Sequence, residues 1–167
     1  LEKYYDQEIF LSEALALEAC NEIEKAVKGG KPFFLHFAPY AVHTPIMPNP
    51  KYISKYEGID KREAAYATMI ESADAALGSV LDKLDALGIA DHTIVIFTSD
   101  NGGLSAHARG GTPHTHNAPL RSGKGSAYEG GIRVPLIVQG LDKQASVDVS
   151  NVITHDLFPT LLAFAGV

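Results

Sequence analysis

The sequence holds a single cysteine, Cys20, so it can form neither an internal disulfide nor a zinc site built from several cysteines. It has no apolar run near the roughly 20 residues that a membrane-spanning helix needs. Basic residues are few. The 14 Lys and Arg against 20 Asp and Glu give a formal charge of −6, which argues against the basic stripe of a general nucleic-acid binder. Internal repeats and low-complexity tracts are lacking too. The first residue is Leu rather than Met and no signal peptide follows, so the chain reads as an excised piece whose compartment is not fixed by its ends. What is present is the composition of one globular domain: 167 residues, 46% apolar and 20% charged, enough to bury a core.

The pattern predicts an amphipathic helix over 8–28, stopped by Gly29-Gly30, with Cys20 buried inside it as a small apolar residue. A short strand is expected over 33–37, followed by an irregular path through Pro39 and Pro45 that carries His43. His43 reads as a structural histidine or a ligand-binding one. Residues 45–60 read as surface loop, and a long helix over 61–87 ends at Gly88. Strands are expected over 93–98 and 134–138, and a helix from about Thr154, in which Pro159 fits if it lies in the first turn. Alternating apolar runs and amphipathic helices predict a three-layer α/β arrangement, with the three strands in one sheet.

The chain is organised around residues 93–133. The apolar, β-branched run Thr93 to Thr98 reads as a buried strand and breaks into Ser99-Asp100-Asn101-Gly102-Gly103. Ligands of open α/β sheets bind outside the carboxyl ends of strands, and two glycines let another group approach closely. Asp100 and Asn101 offer oxygen to a hard cation, or simply form a turn. Lys124, between Gly123 and Gly125, can meet an anion as a point charge or remain solvated. Glu129 and Arg133 are placed to pair and brace the loop. The loop carrying His107, Arg109, His114 and His116 lacks the helical spacing of a zinc pair and reads as a substrate-facing or surface loop.

Six motifs in order carry a resemblance: Phe33-Phe34-Leu35, Val42-His43-Thr44-Pro45, Thr98-Ser99-Asp100-Asn101-Gly102-Gly103, Pro119-Leu120-Arg121-Ser122-Gly123-Lys124-Gly125, Glu129-Gly130-Gly131-Ile132-Arg133-Val134-Pro135 and Asp156-Leu157-Phe158-Pro159-Thr160. The set resembles the type I sulfatases of the alkaline phosphatase superfamily. The resemblance implies a central mixed, mostly parallel sheet flanked by helices. It implies Asp100 and Asn101 as Ca²⁺ ligands, with Mg²⁺ as the alternative ion, and His43 and Lys124 as catalytic, sulfate-binding groups. Arg109, His116 and Asn117 join His43 and Lys124 as candidate substrate-binding residues. The family's nucleophile is a formylglycine made within a Cys/Ser-x-Pro-x-Arg motif, which these 167 residues lack. The expectation is therefore a single partial catalytic domain over 1–167, its C-terminal part, inactive without the segment bearing the nucleophile. The expected substrate is a small sulfate ester, such as a sulfated sugar, in a periplasmic, secreted or lysosomal setting. A phosphodiester or phosphonate monoester hydrolase of the same superfamily, or a non-catalytic fragment, are the alternatives.

Overall fold

A computed structural model describes residues 2–104, 116–140 and 144–167. Two helices dominate it: α1, Leu11–Lys28, and α2, Lys61–Ala86. Their buried faces are rich in small residues, Ala14, Ala16, Ala19 and Cys20 on α1 and Ala64, Ala65 and Ala76 on α2. The core cluster joins Ala19, Cys20 and Ile23 to Val80 and Leu84, with Leu35, Phe37 and Val95 packed against it. Cys20 is buried as expected, its Sγ 3.5 Å from the Ser79 carbonyl, and burial pushes its thiol pKa up, so it behaves as packing.

Local chemistry sets the helix ends. Asp60 caps α2, its carboxylate accepting from the backbone N–H of Arg62 at 2.9 Å and Glu63 at 3.1 Å. Gly30 and Gly88, at φ +61° and +68°, take the left-handed conformation that ends α1 and α2. The stretch 45–60 is not merely surface loop. Asn49 is 2% exposed and fastens the stretch to α2: its N–H donates to Thr68 Oγ1 and its Nδ2 to Ser72 Oγ, both at 2.9 Å. Tyr52 is buried beside it, and a short 3-10 turn follows over Ile53–Tyr56. Sequence reading missed this anchor because proline and lysine dominated the stretch.

Strand β1, Val95–Thr98, pairs with β2, Leu136–Gln139, after a one-turn helix α3, Glu129–Ile132. The described sheet has two strands, running antiparallel, and 33–37, expected as a third strand, is not assigned to it. Residues 35, 37 and 39 are half-buried while 34, 36 and 38 are exposed, the alternation of an extended segment, but a strand also needs a backbone partner. Nor is β1 buried on both faces, since Phe97 is exposed and β2 is exposed throughout.

Helix α4, Thr154–Phe164, opens with the Asp156 carboxylate accepting from the Ile153 N–H at 2.9 Å. Pro159 lies in its second turn, not the first, where the ring removes a helical donor. The Thr160 hydroxyl donates to the Asp156 carbonyl at 2.6 Å and satisfies one acceptor beside that interruption.

Candidate active site

The antiparallel register builds the site. Thr98, the last residue of β1, pairs with Leu136, the first of β2. The turn that follows β1 therefore lies beside the segment that leads into β2. Backbone bonds stitch them together: the Gly102 N–H donates to the Gly131 carbonyl at 2.9 Å, and the Gly130 N–H to the Arg121 carbonyl at 2.9 Å. Lys124 joins from the intervening loop, its N–H donating to the Gly103 carbonyl at 3.0 Å.

Such contact between main chains demands glycine. A Cβ on Gly102 would stand 1.8 Å from the Gly130 carbonyl oxygen, and one on Gly130 would stand 2.2 Å from the Ser122 oxygen. A Cβ on Gly131 would meet the Ser126 oxygen at 2.2 Å. The close approach expected of the Asn101-Gly102-Gly103 turn is real, and its partner is the second Gly-Gly pair.

This junction brings Asp100, Asn101 and Lys124 into one neighbourhood. Asp100 is exposed, and Asn101 and Lys124 are half-buried. Among the described residues the Asp100 carboxylate, the Asn101 side-chain amide and the Lys124 ammonium have no hydrogen bond or ion pair of their own. Among the described residues, no group of three His, Cys, Asp or Glu side chains converges as a metal site.

His43 is exposed and its Nδ1 lies 2.8 Å from the Thr44 carbonyl; among the described residues no bond links it to the junction. Arg109 lies outside the described residues, as do His107 and His114. His116 turns toward α2, with Nε2 2.8 Å from Glu63 Oε2 and its ring stacked on Tyr66 at 5.3 Å between centroids. Asn117 turns inward as a clamp. Its Oδ1 accepts from the Gly103 N–H at 3.1 Å, while Nδ2 donates to the carbonyls of Gly103 at 3.0 Å and Ser122 at 3.1 Å. These bonds hold the Gly103 and Ser122 main chain together.

Glu129 and Arg133 do pair, at 3.4 Å, but both are well exposed, so the pair adds little stability. Sequence reading did not anticipate Arg121, whose guanidinium sits 3.9 Å from the centre of the Tyr128 ring. An Arg and a Tyr seven residues apart in a glycine-rich loop gave no periodic signal for it.

With this geometry in place, the comparisons decide the family. The sulfatase family pattern matches residues 2–167. The chain belongs to the sulfatase family. It is 38% identical over 172 residues to a sulfatase of Formosa agariphila, covering 93% of this chain and 30% of that protein. To the human N-acetylgalactosamine-6-sulfatase it is 34% identical over 177 residues, covering 98% of this chain and 32% of that protein. Among solved structures, Ps i-CgsB in complex with k-i-k-neocarrahexaose superposes with a TM-score of 0.80 at 36% identity, over 94% of this chain and 34% of that one. The sulfatase chain is thus a truncated mixed α/β piece of the alkaline phosphatase-like fold, about a third of the length of these relatives. The expected placement in the C-terminal part of the catalytic domain is not borne out; the match is put on its N-terminal side.

Proposed function

We propose that these residues form one part of the active site of a sulfuric ester hydrolase, and that the intact protein cleaves sulfate esters. The observation that carries the reading is the glycine-stitched junction, which ties the main chain of Lys124 to the turn that carries Asp100 and Asn101. A sulfate ester needs a cation against its sulfuryl oxygens as charge builds during cleavage. Lys124 meets that need as a point charge in a loop held at its own backbone N–H. His43 serves as a second sulfate-binding group and as the proton donor to the leaving oxygen.

The donor chemistry of Asp100 and Asn101 fits a hard cation, Ca²⁺ or Mg²⁺: one carboxylate and one amide oxygen, neither engaged within the described residues. Two ligands fall short of the six to eight typical of Ca²⁺, so the remaining ones belong to other parts of the parent. When bound, the ion supplies Lewis-acid polarisation of an oxygen of the substrate. The sequence contains no Cys/Ser-x-Pro-x-Arg motif, so the nucleophile, a formylglycine by family resemblance, also belongs to residues outside these 167. The 167 residues are one incomplete catalytic domain, and the exposed apolar faces of β1 and β2 suit cover by the rest of it. The relatives include an N-acetylgalactosamine-6-sulfatase, and a related structure holds a neocarrahexaose, which supports a sulfated sugar as substrate. A periplasmic, secreted or lysosomal location accords with such substrates.

The test is the rate of the intact protein on paired aryl sulfate, phosphate diester and phosphonate monoester substrates. The reading expects kcat/KM to favour the sulfate ester. Preference for the phosphorus esters would move the assignment to another branch of the superfamily. Turnover of none of them would favour a non-catalytic role.

A further inference from the structure

The junction that presents Lys124 is built from glycine-rich main chain. It has few side chains to pack, and glycine loses more freedom on ordering than any other residue. Its orientation must therefore be imported from a rigid element. The structure shows one such link. Glu63 sits in the first turn of α2, its own N–H held by the Asp60 cap at 3.1 Å. Its carboxylate meets His116 Nε2 at 2.8 Å, and the His116 ring lies on the buried Tyr66, tilted by 22°. The next residue, Asn117, grips Gly103 through both its N–H and its carbonyl, and also the Ser122 carbonyl. The same Gly103 carbonyl accepts from the Lys124 N–H. A continuous path of contacts runs from α2 to the two segments that carry Asn101 and Lys124.

We infer that Glu63 is a positioning residue of the sulfate site: with Tyr66 it fixes His116, and through Asn117 it sets Lys124 against the Asp100-Asn101 turn. The assignment rests on the proposed sulfate-ester site, but the coupling itself is independent of the reaction. It gives His116 a different part from direct contact with substrate, since the ring nitrogen is turned to Glu63. The Glu63 and His116 side chains are 29% and 42% exposed, so the pair is solvent-screened and its effect is moderate.

Hydrogen-exchange mass spectrometry on the intact protein tests the coupling without any substrate. Peptides covering 101–104 and 122–125 report the Gly103 and Lys124 N–H groups. Glu63→Ala and His116→Ala should each speed exchange there by about three- to tenfold, and the double variant by no more than the larger single effect, because both break one path. Glu63→Gln keeps an acceptor in the same place and should restore most of the protection. Lys61→Ala, also in the first turn of α2, should leave both peptides unchanged. His116→Ala leaves α2 intact, so it answers the question even if Glu63→Ala frays the helix. Aryl sulfate kinetics on the same variants should fall in the same rank order, mainly in kcat. Unchanged exchange, additive single effects, or no rescue by Glu63→Gln would overturn the coupling and leave the sulfatase reading standing. Intact coupling in a protein without sulfatase turnover would instead overturn the proposed function.

Discussion

Replacing Gly102 by alanine should be among the most damaging single changes in this chain. Gly102 is buried, and the added methyl would lie 1.8 Å from the Gly130 carbonyl oxygen and 2.7 Å from its carbon. The obstacle is backbone, which cannot swing away as a side-chain end does. Separating the two segments costs roughly 1–3 kcal/mol for overpacking and about 0.5–1.5 kcal/mol for the Gly102–Gly131 hydrogen bond it breaks. The sum, roughly 1.5–4.5 kcal/mol, corresponds to a fall in Tm of about 3–18 °C in a chain of this size. Thermal unfolding followed by far-UV circular dichroism measures it. Gly103→Ala is the control, because among the described residues its methyl meets the Asn117 side chain, at 3.0 Å, and no backbone. A Tm change of less than about 2 °C for Gly102→Ala, or a larger one for Gly103→Ala, would refute the argument from close backbone approach.

Gly78→Ala should act in the opposite direction. Gly78 lies within α2, and among the described residues nothing comes within 4 Å of its added Cβ, so alanine should stabilise by about 0.5–1 kcal/mol in urea titration. Asp60→Ala should cost about 0.5–2 kcal/mol in the same experiment, since two first-turn N–H groups of α2 lose their acceptor. Glu18 should titrate far below an ordinary carboxylate. The Lys3 ammonium first, then the Tyr4 hydroxyl, hold its pKa down to about 2 from 4.5. A depressed folded-state value means the stabilisation is full above about 4.5 and lost as pH falls toward 2, which carboxyl NMR titration of Glu18 would show.

Most of the helical framework was legible because its causes are local. Apolar spacing placed α1 and α2, and Gly29-Gly30 and Gly88 marked their ends. Asp60 stood in plain view before α2, but the proline-rich stretch ahead of it masked its capping role. The extended segment around Leu35 and Phe37 showed the right apolar residues, yet pairing depends on which main chain lies alongside, and no local pattern encodes that. The same limit hid the antiparallel sense of β1 and β2. The junction that holds Asp100, Asn101 and Lys124 was recognisable from its glycines, because glycine is required where main chains touch. The contacts that Asn117 and His116 make within the fold were not legible. Polar side chains in a loop look alike in sequence whether they face solvent, substrate or the backbone across the turn. Only the geometry shows Asn117 holding Gly103 and Ser122, and His116 meeting Glu63.

The most direct test of the central claim is steady-state hydrolysis of a chromogenic aryl sulfate by the intact protein, with Asp100→Ala and Lys124→Ala measured in parallel. If the glycine-stitched junction is part of a sulfate-ester site, the unsubstituted protein turns over with dependence on a divalent cation, and each substitution lowers kcat by about 10²–10³. Hydrolysis that neither substitution changes by more than about threefold would contradict the account, because the reacting sulfate would then lie elsewhere.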